Sequence, residues 1–327
     1  MKRIDQYWYS RNSLAIALLP LSFLFRIVSL LRRLCYRTGL CTVFKLPVPV
    51  IVVGNINVGG TGKTPLVIWL ADFLKKEGLS PGIISRGYGG RAQSWPQQVK
   101  IDSDPRMVGD EAVLLARRTQ CPVTVAPKRA AAAKSLLQQE QCDIIISDDG
   151  LQHYALHRDL EIAVVDGVRR FGNGFHLPAG PLRESEKRLQ SVDFVVVNGA
   201  SLHNEYAMTL EGKEVINMRD RQHKCSLLEF KGKEVHAIAG IGNPDRFFSY
   251  LRFLGMNVIE YAFPDHYAYT QKDFNFNEDQ IVVMTEKDAV KCTKYCHVNS
   301  WYVTVEASME PEFLNRIRKK IKQLREE

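Results

Sequence analysis

Four groups of residues in this chain have the types and spacing to handle phosphate. The first is Asn57-Val58-Gly59-Gly60-Thr61-Gly62-Lys63-Thr64, a glycine-rich run closed by Gly-Lys-Thr. Glycines let a backbone wrap close to phosphate oxygens and aim its N–H groups at them. A lysine in this place reaches the β- and γ-phosphates of a nucleoside triphosphate, and the next hydroxyl ligates Mg²⁺. All eight residues are expected to bind the nucleotide, with Lys63 also assisting transfer and Thr64 on the metal. The strict pattern wants glycine six residues before the lysine, where Asn57 stands. Asparagine enters left-handed backbone more readily than most residues, so the departure is mild.

The second group is Asp148-Asp149, closing the apolar run that starts at Cys142. A carboxylate at such a strand end holds Mg²⁺ beside the phosphate loop, directly or through water. Adjacent side chains leave a strand on opposite sides. One carboxylate is therefore expected at the metal and the other at substrate or loop. The third group is Gly109-Asp110-Glu111, ahead of an apolar helix. Its plain reading is a cap, Asp110, with Glu111 in the first turn favouring the helix dipole. Its chemical reading is a general base, because an acceptor hydroxyl must lose its proton as phosphoryl transfer proceeds. The fourth group is Phe263-Pro264-Asp265-His266-Tyr267, where either Asp265 or His266 could reach a cleft. Arg86, in Ser85-Arg86-Gly87-Tyr88-Gly89-Gly90, and Arg183, after a Gly/Pro-rich stretch, are candidate anion contacts or plain surface charges. Thr285 reads as a helix cap with Asp288 at its third position, and no chemical role follows from that run.

These residues need a scaffold, and the hydrophobic pattern supplies one. Apolar strands are expected at 48–53, 82–85, 122–125, 143–147, 161–165 and 193–197, with helices at 64–77, 109–119 and 128–140. Such alternation predicts a parallel sheet covered on both faces. Ligands bind at the carboxyl ends of its strands, where Thr61–Thr64, Asp148 and Asp166 fall. The pattern loosens over 199–230. It then resumes with strands at 234–239, 257–261, 281–284 and 301–305 and helices at 244–254 and 309–325. The expected fold is α/β: a P-loop sheet domain over 47–210 and a smaller α/β domain over 211–327.

Residues 1–46 read differently. The chain carries a net charge of +8, and its first 50 residues hold eight lysines and arginines against Asp5 alone. The catalytic body is near neutral, which argues against a nucleic-acid groove and for an anionic membrane surface. The apolar run 14–31 is interrupted by Pro20 and Arg26, too early for a spanning helix. No cleavage site follows it. It reads as an amphipathic helix lying in the membrane interface. A helix packed on the protein's own core is the plain alternative. The seven cysteines show no disulfide framework. Cys292, Cys296 and His297 lack the paired spacing and fourth ligand of a metal site and read as ordinary thiols and a histidine.

The motifs together resemble the tetraacyldisaccharide 4'-kinases of lipid A biosynthesis. The matching stretches are Gly54-Asn55 followed by Val58–Pro65, Ser85–Gly89, Gly109–Glu111, Asp148–His153, Asp166-Gly167 with Phe171–Gly174, Leu177–Glu184 and Met284–Cys292. The resemblance implies an enzyme on the cytoplasmic face of the inner membrane, peripheral or monotopic. It would move the γ-phosphate of ATP to the 4'-hydroxyl of a lipid disaccharide 1-phosphate, with Mg²⁺. It implies Asp110 as catalytic base, His266 as its support, Asp148 and Asp149 near the metal and Glu111 as an acidic neighbour there. Two rivals remain at this level: a membrane-bound P-loop ATPase switch without lipid acceptor, and a membrane binder that uses ATP only to fold. Switches of the first kind often carry a second lysine where Val58 stands, and the second kind has no use for so many carboxylates.

Overall fold

The computed structural model describes residues 7–10 and 12–326. Lys2, Arg3, Asp5 and Arg11 of the basic segment lie outside the described residues. The chain opens with helices α1 (Ser13–Ala17) and α2 (Leu19–Arg37). A first α/β run follows: β1 (Val50–Gly54), α3 (Lys63–Lys76), β2 (Pro81–Ser85), β3 (Gln97–Val99), α4 (Pro105–Val108), α5 (Asp110–Thr119), β4 (Val123–Val125), α6 (Arg129–Gln139), β5 (Ile144–Asp148), β6 (Leu160–Asp166), β7 (Phe194–Asn198) and β8 (Tyr206–Glu211). A second run holds β9 (Glu214–Asn217), β10 (Lys224–Ser226), β11 (Glu234–Ala239), α7 (Pro244–Phe253), β12 (Asn257–Ala262), β13 (Val282–Thr285), α8 (Glu286–Cys292) and β14 (Ser300–Val303). The chain closes with β15 (Glu306–Met309) and α9 (Pro311–Glu326).

The strands form two sheets. The larger has nine strands in the order β15-β8-β7-β6-β1-β5-β2-β4-β3; the smaller has six in the order β10-β9-β14-β13-β11-β12. β1, β2, β5 and β6 are buried along their whole length. That is why β1 and β5 read as near-continuous Val/Ile runs: helices cover both faces of a parallel sheet. Leu66, Leu70 and Leu74 of α3 and Val113 of α5 fill one face. Ala132, Ala133 and Leu136 of α6 fill the other.

The second domain does not run to the end of the chain. β15 pairs antiparallel with β8, Met309 opposite Met208, and so joins the large sheet. Phe313, Ile317 and Ile321 of α9 sit in the first domain's core beside Trp69, Phe194 and Tyr206. The apolar stripe of α9 needs a hydrophobic partner, and its spacing says nothing about which sheet provides it. The loosely patterned 199–230 segment also holds more order than expected. β8, β9 and β10 lie there, short and partly exposed, so their alternation is weak.

α2 is inverted relative to an ordinary surface helix. Pro20 sits in its first turn, where the missing N–H costs nothing, rather than inside a helix. Toward the protein α2 turns Ser22, Phe25, Ser29 and Arg33; outward it exposes Leu21, Phe23, Leu24, Ile27, Val28, Leu31 and Leu34. Ser22 Oγ donates to the His176 carbonyl at 2.7 Å and Arg33 to Ser191 Oγ at 3.0 Å. The helix is thus docked by polar contacts and leaves most of its apolar surface uncovered. Among the described residues, no helix is long and apolar enough to cross a membrane.

Candidate active site

β1 delivers the chain to a loop that ends where α3 begins at Lys63. Gly62 turns into the helix at φ +99°, a left-handed value suited to glycine, with Asn198 Nδ2 2.9 Å from where a Cβ would stand. Nothing comes within 4 Å of such a position on Gly59 or Gly60, although Gly242 of the second domain lies close enough to Gly60 that a Cβ on Gly242 would stand 3.0 Å from the Gly60 nitrogen. Asn57 does not adopt the left-handed backbone expected of it. It is buried and its side-chain amide donates to the Arg170 carbonyl. Val58 N–H donates to the Pro181 carbonyl at 2.8 Å. Asparagine replaces glycine here because the position anchors the loop to the 170–183 segment. Asp166 stays out of the nucleotide pocket: it holds Arg169, whose Nη2 donates to the Gly60 carbonyl at 2.7 Å.

The paired carboxylates diverge. Asp149, at φ +48°, lies 3.5 Å from Lys63 Nζ and 3.0 Å from Arg183 Nη1. Burial opposes its ionisation, but Lys63 and Arg183 hold it well below the usual carboxylate range. Asp148 points the other way and accepts from Ser85 Oγ at 2.9 Å. Burial, followed by the charges of Glu111 and Asp149, pushes Asp148 up to about 6. Arg183, a candidate anion contact, is therefore tied to Asp149. Arg86 is exposed and has no ion pair among the described residues.

Gly109 decides what Asp110 does. At φ +93° it is the cap residue of α5, and a Cβ there would lie 2.6 Å from the Tyr88 carbonyl. Asp110 is then the first helical residue rather than the cap, and its carboxylate is free to look outward. His266 Nδ1 lies 3.0 and 3.1 Å from its two oxygens, although 156 residues separate them in sequence. Burial would raise the Asp110 carboxyl, but the His266 hydrogen bond and the charges of Lys287, His266 and Lys291 lower it to about 2. Burial works against the charged His266 ring, but the bond to Asp110 together with the charges of Asp110 and Asp265 outweighs it, so its pKa is raised. Tyr88 covers the ring at 4.8 Å between centroids. The Ser85–Gly90 loop thus contributes Ser85 and Tyr88. Glu111 accepts from Lys287 Nζ at 2.9 Å while its charge reaches Asp148.

The family model for tetraacyldisaccharide-1-P 4'-kinase, LpxK, matches residues 14–322. The chain belongs to this family. It is similar to the tetraacyldisaccharide 4'-kinase of Nitrosococcus oceani, 53% identical over 310 residues, covering 95% of this chain and 91% of that one. The enzyme of the same name from Methylobacillus flagellatus is 50% identical over 325 residues, covering 99% and 97%. A crystal structure of "apo" form LpxK from Aquifex aeolicus in complex with ATP superposes with a TM-score of 0.82 at 31% identity, covering 95% of this chain and 99% of that one. The chain is therefore a kinase of lipid A biosynthesis, and this family's chemistry uses ATP and Mg²⁺.

The LpxK-type site suits both. The glycine-rich loop, Lys63 and the start of α3 form an anion cradle. Burial, then the charges of Glu111 and Asp149, raise Asp148 despite Lys63 and Arg129, and a divalent cation would relieve both. Among the described residues no three acidic, His or Cys side chains already form a metal cage. That accords with Mg²⁺, which binds through one or two carboxylates, phosphates and water. Sequence reasoning missed Lys287, Lys291, Tyr88 and Arg129. The Thr285–Asp288 run carried a visible signal, since Thr285 does cap α8, but nothing in its spacing says that Lys287 faces the other domain.

Proposed function

We propose that this chain transfers the γ-phosphate of ATP to the 4'-hydroxyl of a tetraacyldisaccharide 1-phosphate with Asp110 as base and His266 as its partner. The Asp110–His266 contact across the two domains carries this reading, because it joins an ionised carboxylate of the first domain to a histidine of the second, whose Gly242 approaches Gly60 of the phosphate loop. A carboxyl held at about 2 is a weak base. It accepts the hydroxyl's hydrogen bond early and takes the proton late, when bonding to phosphorus has acidified it. A loose phosphoryl-transfer transition state demands no more. His266, with its raised pKa, keeps the carboxylate aimed. Lys63 neutralises charge on the transferring group. Thr64, Asp148, Asp149 and Glu111 are the donors offered to Mg²⁺, which when bound supplies charge neutralisation at the phosphates.

The uncovered apolar face of α2 supports placing the enzyme at the cytoplasmic face of the inner membrane, lying in the interface. A four-chain lipid acceptor stays in the bilayer, so the kinase must come to it. Exposed Leu, Ile and Phe on one helix face, with exposed Arg32 and Arg37 toward its end, suit an anionic bilayer. The test is incubation of purified protein with labelled ATP and the monophosphoryl lipid disaccharide, with chromatography for a bisphosphorylated product. ATP hydrolysis at full rate without lipid, and no labelled lipid, would instead favour an ATPase switch.

A further inference from the structure

α8 is seven residues long, yet three of its side chains cross to a single helix of the other domain. Glu286 pairs with Arg118 at 2.6 Å, Lys287 with Glu111 at 2.9 Å, and Lys291 approaches Asp110 at 3.7 Å. The base of α8 is firm. Asp288 is fully buried and accepts from Gly240 N–H at 2.8 Å, Tyr269 at 3.0 Å and Thr285 Oγ1 at 2.6 Å. Lys287 differs from its neighbours in one respect. Its Nζ also donates to Asp265 Oδ1 at 3.0 Å, the residue before His266, and stands 3.4 Å from His266 Nε2.

His266 itself is held in a costly shape. Its backbone sits at φ +58°, a region that residues with a side chain avoid. Such a conformation persists only where its surroundings over-determine it. Asp265 bonds the His266 N–H at 3.1 Å through the same Oδ1 that Lys287 grips. The ammonium is largely shielded from water, so the grip is not traded for solvent.

We infer that Lys287 is a positioning residue for the Asp110–His266 pair. It fastens the Asp265-His266 segment to Glu111 of the first domain and so sets where the imidazole meets Asp110. The role rests on the reading of that pair given above. Lys287 touches neither the phosphate loop nor any group that gains or loses a proton in the reaction; it acts through His266.

The test uses the full chain, labelled ATP and the monophosphoryl lipid disaccharide. Lys287→Met lowers kcat about 100-fold, the size expected when a reacting group is displaced by about an ångström. KM for ATP changes by less than kcat, because the phosphate loop is untouched and only Glu111, among the groups offered to Mg²⁺, loses a partner. Lys287→Arg, which keeps charge and two-sided hydrogen bonding, recovers at least about tenfold of the loss. In a His266→Ala background, Lys287→Met costs nothing more, since residues acting as one unit are not additive. Asp265→Asn cuts the same tie from the other end and serves if Lys287→Met does not fold. Its kcat falls alike, and it too is silent beside His266→Ala. A double variant slower than His266→Ala by the full Lys287→Met factor overturns the role of Lys287 alone, as does an unchanged kcat in folded Lys287→Met. A wild-type kcat in His266→Ala overturns the reading of the pair.

Discussion

Replacing Asp110 by Asn separates charge from shape at the centre of the site. The amide fits the same space and keeps an oxygen for the Glu111 N–H that Asp110 Oδ1 accepts at 2.9 Å. It loses the charge that faces His266 at 3.0 Å and Lys291 at 3.7 Å. A general base contributes 10²–10⁴-fold, so kcat should drop by that factor, about 3–5 kcal/mol of barrier. Stability moves too. The folded-state pKa of about 2 lies below the ordinary aspartate value of 3.8, so ionised Asp110 stabilises the fold above pH 3.8 and loses that contribution as pH falls through 2. The shift is worth about 2 kcal/mol at neutral pH, and the variant should melt several degrees lower. Asp110 makes no contact with the phosphate loop, so KM for ATP should hardly move. Steady-state phosphorylation of the lipid disaccharide and a thermal melt at pH 7.5 read all three. A folded variant with kcat within tenfold of wild type would refute the assignment of Asp110 as base. A melting temperature at or above wild type would refute the electrostatic reasoning.

Asp148→Asn should abolish transfer yet raise the melting temperature of the metal-free protein at pH 7.5. The buried Asp148 carboxyl is raised to about 6 by burial and by Glu111 and Asp149, so its charge costs stability above that pH; calorimetry should show the gain shrinking as pH falls toward 4, where Asp148 is already protonated. Gly109→Ala should cost both activity and stability, because the new methyl would meet the Tyr88 carbonyl at 2.6 Å from a left-handed backbone; a folded, active variant in a melt and kinase assay would contradict this. Phe23→Glu with Leu31→Glu should weaken sedimentation with anionic vesicles at least tenfold and leave the fold intact, since both side chains are exposed, at 62% and 56%. Equal sedimentation would remove α2 from the membrane contact. Lys63→Ala should reduce labelled lipid to background, with Asp149 left on Arg183 alone; near-wild-type product would dismiss the nucleotide loop.

Much of this was readable from the chain because its signals are local. The Val/Ile run of β1 and the helical spacing after Lys63 identify strand and helix, and Gly59–Thr64 identifies what lies between them. Asp148 and Asp149 are placed by the strand that precedes them. His266 was a weaker signal, for its partner is 156 residues away and the left-handed backbone that aims its ring leaves no mark in composition. Lys287 was harder still: a lysine after Thr-Glu looks like any first-turn residue, and only the docking of α8 on α5 turns it inward. The return of β15 and α9 to the large sheet was hidden for the same reason. Periodicity reports that Phe313, Ile317 and Ile321 share a face and is silent on what covers it.

That return has a mechanical consequence. The chain passes between the sheets twice, at Gly212-Lys213 and at Thr304-Val305. The passages are stitched together: Thr304 N–H donates to the Glu214 carbonyl at 3.1 Å, Val303 faces Val215 on one side and Glu306 faces Glu211 on the other. Two adjoining crossings define a line. Rotation about it would leave these strand pairs intact, whereas sliding or twisting would break them. α5 runs outward from this line. Arg118, near its last turn, borders a cavity of about 290 Å³ with Glu214, Thr304 and Glu306 beside the crossings, and Asp110 stands at its far end. Eight residues of α-helix span about 12 Å. A rotation of about 10° therefore shifts groups at Asp110 by about 2 Å and those at Arg118 far less. The Arg118–Glu286 pair can survive such a swing, while the Asp110–His266 and Glu111–Lys287 bonds cannot. If the two sheets turn about this line, the place of Asp110 at the far end of its helix makes its bond to His266 among the first to break.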